Sequence, residues 1–117
     1  MKKLKKGRKF GRVRKQRKAL LKSLSVGLIE KGKIKTTLPK AKELRPHIER
    51  LVTYAKKGSK DGAGMRALQP ILPKKAIYKL MKDVVPKYID RKGGYTRIIK
   101  LRSRARDAAQ MAYIEFI

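Results

Sequence analysis

YTRIIKLRSRARDAAQMAYIEFI, residues 95–117, carries β-branched and aromatic side chains at both ends and a polar, small-residue segment between them. Such ends suit extended backbone, because branched and aromatic side chains pack well on a pleated, half-buried surface. YTRIIKLRS and MAYIEFI are therefore read as the two strands of a hairpin, separated by Arg104 to Gln110. Strand side chains alternate between faces, which groups Tyr95, Ile99 and Leu101 and sets Ala112, Ile114 and Phe116 opposite Tyr113 and Glu115. Both apolar sets are expected to meet helices, so Ile98 faces the wrong way unless it makes an edge contact or marks a bulge. Thr96, Lys100, Arg102 and Arg104 then alternate onto the face turned away from the helices.

Upstream of the hairpin the apolar spacing becomes helical. Leu20, Leu21, Leu24 and Leu28 fall within an arc of roughly 100° at 3.6 residues per turn. This predicts a helix from about Arg14 to Gly32, where glycine can take the left-handed conformation and Lys31 sits at the negative end of the dipole. KIKTT (33–37) reads as a short strand, and Thr37 can cap the helix that follows. In that helix Ala41, Leu44, Ile48, Leu51, Val52 and Ala55 recur at steps of three and four, and Pro46 predicts a kink near Lys42 to Arg45.

KKGSKDGAG (56–64) reads as a loop and Met65 to Gln69 as a short helix ended by Pro70 and Pro73. Pro73 suits the first residue of another helix, with Ile77, Leu80, Met81 and Val84 as its apolar stripe. Pro86 weakens the end of that helix, and Gly93 and Gly94 mark a turn. The resulting order, α-β-α-α-α-β-β, is an α+β fold with helices packed on one face of a small three-stranded sheet, preceded by a basic N-terminal tail.

With 117 residues, 41% of them hydrophobic, the chain suits one modest core: a basic extension at 1–15 and a single domain at 16–117. Against 35 Lys and Arg stand 8 Asp and Glu, a formal net charge of +27. That field opposes compaction unless a polyanion or dense counterions screen it, so the expected partner is negative. Residues 1–18 contain eleven basic side chains and no acidic one: Lys2, Lys3, Lys5, Lys6, Arg8, Lys9, Arg12, Arg14, Lys15, Arg17 and Lys18. Such a block repels itself and reads as a nucleic-acid-binding arm, with a solvated solubilising arm as the alternative.

Arg8, Arg12, Arg14 and Arg17 suit bidentate phosphate contacts and base stacking better than lysine does. Phe10 either stacks on an unpaired base or touches the protein's own core. Lys22, Lys35 and Lys40 extend the candidate surface. Arg97, Lys100, Arg102, Arg104 and Arg106 form a second candidate footprint, for which the alternative is a sheet edge guarded by charge. Tyr54, Tyr78, Tyr88, Tyr95 and Tyr113 read as half-buried core residues with a wet hydroxyl, and only Tyr95, beside the glycines, is a candidate base platform.

No cysteine is present, which excludes disulfides and thiolate chemistry. The longest apolar runs are too short for a membrane span, and no signal-type apolar stretch follows the first lysines, so a soluble cytoplasmic protein is expected. The carboxylates are dispersed, no glycine-rich phosphate loop precedes a helix, and no nucleophile has a base at useful spacing; neither an enzyme nor a cofactor or metal site is expected. Glu49 with Arg45 and Asp83 with Lys87 read as helix-surface pairs. His47, the only histidine, is taken as a surface residue.

RKQRKALLKSLSVGLIEKG (14–32), GKIKTTLPKAKELR (32–45) and RKGGYTRIIKLRSRARDAAQMAYIEFI (91–117) together resemble the bacterial-type large-subunit ribosomal protein number seventeen, in the same order and over nearly the whole length. Departures from the family pattern are Gln16 before Arg17, Arg106 before Asp107, and the segment GAGMRALQPILP (62–73). The resemblance implies a protein folded onto large-subunit rRNA near the outer opening of the nascent-peptide tunnel, among other ribosomal proteins. Neither membrane association nor a homo-oligomer is expected. A DNA-compacting architectural protein of little sequence specificity is the alternative; a membrane-active cationic protein fits poorly with the C-terminal strands.

Overall fold

Gly32 ends the first helix and turns the chain into the sheet. It takes φ 76° in the left-handed region, and its N–H donates to the Leu28 carbonyl at 2.7 Å. A side chain there would be strained, which is why the helix stops at the expected residue. The computed structural model describes residues 13–61 and 63–117, with 58–61 and 63 by backbone alone. The elements are α1 (Arg14–Lys31), β1 (Lys33–Thr37), α2 (Leu38–Asp61), α3 (Ala63–Leu68), α4 (Lys74–Lys79), β2 (Thr96–Lys100) and β3 (Met111–Phe116). Order and class are those expected from the sequence.

The sheet order is β1-β3-β2 and both pairings are antiparallel. Directly opposed residues share a face, so Ile34 and Thr36 of β1 lie level with Ile114 and Ala112 of β3, over the core. On the other side, Thr96 opposes Phe116 and Ile98 opposes Ile114. This register inverts the expected facing of β2. Thr96 is fully buried and Ile98 packs against the core, whereas Ile99 points outward and is 40% exposed. Ile98 therefore needs neither a bulge nor an edge contact. Tyr95 reaches the core from just before the strand, its ring 5.3 Å from that of Tyr88.

Helix α2 presents Ala41, Leu44, Ile48, Leu51, Val52 and Ala55 to the core, each at most 1% exposed. Its first N–H, from Leu38, donates to the carbonyl of Gln110, the residue before β3, at 2.8 Å, which satisfies one donor the helix cannot. The helix runs unbroken through Pro46. It also runs past the loop expected at 56–64, reaching Asp61. Lys56 explains part of the extension: its ammonium donates to the Arg91 carbonyl and to the Tyr95 hydroxyl, clamping that turn to the start of β2. Gly58 costs only about 1 kcal/mol relative to alanine, too little to stop an anchored helix.

Pro73 stands just outside α4 as its N-cap residue, in extended conformation. After Lys79 the helix widens into a π-helical segment at Leu80–Val84 and tightens into a 3₁₀ segment at Val85–Tyr88, which contains Pro86. Proline lacks an N–H and crowds the preceding turn, and the change of pitch absorbs both defects. It also shifts the four-residue registry: the ion pairs among the described residues are Arg45–Glu49, Arg97–Glu115 and Arg104–Asp107, and Asp83–Lys87 is not one of them.

Leu28, Leu44, Ile48, Leu51, Leu68, Leu80 and Ile114 form the centre of the core. Full burial of each such side chain stabilises the fold by about 1.5–3 kcal/mol. On α1 the buried residues are Ser25, Leu28 and Ile29, with Leu24 packed at the margin. The helix therefore meets the core with its second half; in its first half no residue is fully buried, and Arg17, Leu20 and Leu21 are half-buried.

Candidate nucleic-acid interface

The first half of α1 is strongly cationic. Arg14, Lys15, Lys18 and Lys22 are exposed and Arg17 is half-buried. The first acid of the helix is Glu30, and Val13 at the N-cap makes no side-chain cap bond. Cations beside the positive end of a helix dipole are destabilising by some tenths of a kcal/mol each, and an anion reverses the sign. The orphan N–H groups of the first turn add to the attraction.

Two depressions each gather some of the sequence-predicted cations. One, of about 540 Å³, lies between α1 and α2 and is lined by Lys18, Leu21, Lys22, His47, Pro70 and Ile71. His47 is half-buried here, a correction to the surface position expected for it. Its Nε2 is buried without a hydrogen-bond partner, as is Arg17 Nε. Burial, and then the charge of Arg50, hold the imidazole below its usual pKa of 6.5. The second depression, of about 530 Å³, joins Lys35 on the outer sheet face to Arg102, Arg104 and Tyr113. Beside it, the Lys33 ammonium sits 4.2 Å above the Tyr113 ring.

The second footprint is not the single strand face expected. Thr96 is interior, and Lys100, although exposed, shares Thr96's side of the strand. Arg97 points outward but is bound to Glu115 at 2.6 Å. Arg104 grips Asp107 with two hydrogen bonds of 2.9 Å, closing a turn in which Ala108 takes φ 57°. The Arg104 side chain, and then the Ala109 N–H, hold the Asp107 carboxyl below its usual pKa. Arg102 and Arg106 are exposed and enter no ion pair among the described residues. Lys40 is half-buried. Lys2, Lys3, Lys5, Lys6, Arg8, Lys9, Phe10 and Arg12 lie outside the described residues.

Tyr95 is not a base platform. It is 1% exposed, and its hydroxyl donates to the Arg91 carbonyl at 3.0 Å. The exposed tyrosine is Tyr78 on α4, which the sequence reading placed with the core; Lys74, Lys75 and Lys82, three or four residues away, were the available signal. Among the described residues no His, Asp and Glu cluster could hold a metal, and no helix is long and apolar enough to cross a membrane.

A small α+β domain whose cations so outnumber its carboxylates has the surface of a polyanion-binding protein. Comparison with known proteins narrows the class. The family described as Ribosomal protein L17 matches residues 20–117. The large ribosomal subunit protein bL17 of Campylobacter lari is 53% identical over 110 residues, covering 94% of this chain and 93% of that one. The proteins of the same description from Campylobacter jejuni and Campylobacter concisus are 52% and 50% identical over 110 residues, each again covering 94% of this chain and 93% and 92% of their own lengths. The chain belongs to the ribosomal protein L17 family.

Proposed function

We propose that this chain, a structural constituent of the large ribosomal subunit and not an enzyme, holds rRNA by neutralising phosphates from a cationic helix, two basic depressions and a basic extension. The observation that carries this reading is the first half of α1. It contributes no fully buried residue to the core and carries Arg14, Lys15, Arg17, Lys18 and Lys22 without an acidic residue. Each phosphate met by Lys or Arg releases condensed counterions, which supplies much of the affinity.

In this reading residues 1–15 are the extension and 16–117 the domain. The contacting residues are the cations of the extension with Phe10, then Arg17, Lys18, Lys22, Lys35, Lys40, Lys100, Arg102 and Arg106. Arg97 and Arg104 contribute less because Glu115 and Asp107 already hold them. The domain works in the cytoplasmic ribosome as a single copy among neighbouring proteins near the outer opening of the peptide tunnel, a placement that the family resemblance supports.

Filter binding across a salt series to large-subunit rRNA and to duplex DNA of similar length tests the reading. Binding is expected to be tighter to rRNA. If about six phosphates meet the extension, deleting residues 1–12 lowers the slope of log K against log salt by roughly 4 to 5. An unchanged slope makes the extension a bystander, and equal affinity for both polymers favours the DNA-compacting alternative.

A further inference from the structure

Tyr78 is 66% exposed, while the other four tyrosines are buried or half-buried. Its position is fixed from below. Ile77 and Leu80 on either side of it are core residues, and the Lys79 ammonium donates to the Glu30 carbonyl at 2.6 Å, tying α4 to the end of α1. The ring therefore stands as a ridge between two depressions. On one flank is a largely apolar slot of about 500 Å³, walled by Met65, Gln69, Lys74, Ile77 and Met81. On the other, Lys75, Lys79 and Lys82 outnumber the carboxylates Glu30 and Asp83. Lys82 Nζ lies 5.6 Å from the ring centroid.

Two features need one ligand. The exposed ring, over which Lys82 lies, and the apolar slot call for a flat, weakly polar surface, and the lysines call for negative charge beside it. An apolar protein segment would answer the first and leave the second unanswered; a nucleotide answers both. From this geometry we infer that Tyr78 is a stacking platform for an unpaired base of the rRNA, with the flanking phosphates held by Lys74, Lys75 and Lys82. Unstacked bases are the ones aromatic side chains can take up. Gln69 supplies a donor and an acceptor at the wall of the slot for the edge of the base.

The inference rests on the rRNA-binding reading, and its test separates the two. The chain contains no tryptophan, so Tyr78→Trp creates a single fluorescent reporter. Adding large-subunit rRNA is expected to quench its emission. Tyr78→Ala is expected to weaken rRNA binding about tenfold, a fold-change equivalent to about 1.4 kcal/mol and within the range of one base stack. Tyr78→Phe should retain the affinity, and all three variants should keep the parent's salt slope because the ring carries no charge. If the parent chain binds rRNA while the reporter and the alanine variant show no change, the platform is overturned and the function stands. If the parent chain itself fails to bind, the functional reading falls. Emission that responds only when other large-subunit proteins are added assigns the ridge to a protein neighbour and overturns the platform.

Discussion

Glu49 on α2 accepts two hydrogen bonds from Thr96, the first residue of β2: one from its hydroxyl at 3.0 Å and one from its backbone N–H at 3.3 Å. Arg45, 3.7 Å from the same carboxylate oxygen, donates to the Thr96 carbonyl at 3.4 Å. One turn of α2 thus recognises all the polar groups of a fully buried threonine. The Arg45–Glu49 pair is more than a surface pair, because it sets which face of β2 turns inward.

Replacing Thr96 with valine keeps the shape and removes one bond to a charged acceptor. The expected loss is about 1.5–3 kcal/mol of stability, read as a lower urea midpoint with an unchanged m value. A midpoint equal to the parent's would show that the bond contributes nothing.

Leu28 and Leu20 lie on one helix but in different surroundings. Leu28 is fully buried, while Leu20 is half-exposed and outside the core cluster. Leu28→Ala should cost about 2–5 kcal/mol. Leu20→Ala should stay within about 0.5 kcal/mol. Equal losses in thermal unfolding would mean that the first half of α1 is packed after all.

The Asp107 carboxyl is held below 3.8 by Arg104 and the Ala109 N–H. Its contribution to stability is complete above the unfolded value of 3.8 and is lost as pH falls through the lower folded value. A carboxyl-carbon NMR titration should place the midpoint below 3.8, and Arg104→Ala should move it back up. A midpoint that does not respond to that substitution would assign the shift elsewhere.

His47 has the opposite linkage to a histidine that gains an anionic partner. Its folded pKa is lowered, so the fold prefers the neutral ring. Stability should be highest above about 6.5 and decline as pH falls from there through the folded value. His47→Gln should flatten that part of the pH–stability curve; an identical curve for both proteins would remove His47 as its source.

Periodicity and backbone chemistry carried much of the fold. The stripe from Ala41 to Ala55, the stop at Gly32 and the extended C-terminal arms each follow from local rules, and each is where the sequence puts it. Tertiary partners determined the rest. Ile98 and Ile99 occupy both parities of β2, so pattern alone could not say which faces inward; Glu49, 47 residues before Thr96, does. Helix α2 outlasts its apparent loop through Lys56, whose carbonyl partner lies 35 residues further on. The cations of the candidate interface were legible by count. Their commitments were not, since Arg97 meets Glu115 from 18 residues away, and neither was the exposure of Tyr78 on a stretch that reads as core.

The strand in the middle of the sheet is the last of the three to be synthesised. Neither β1 nor β2 has a ladder partner until 111–116 have left the translating ribosome, so during synthesis both earlier strands wait with open edges. A nascent chain of this topology finishes folding late and all at once, and premature termination before Met111 would leave a helical fragment without a sheet to rest on.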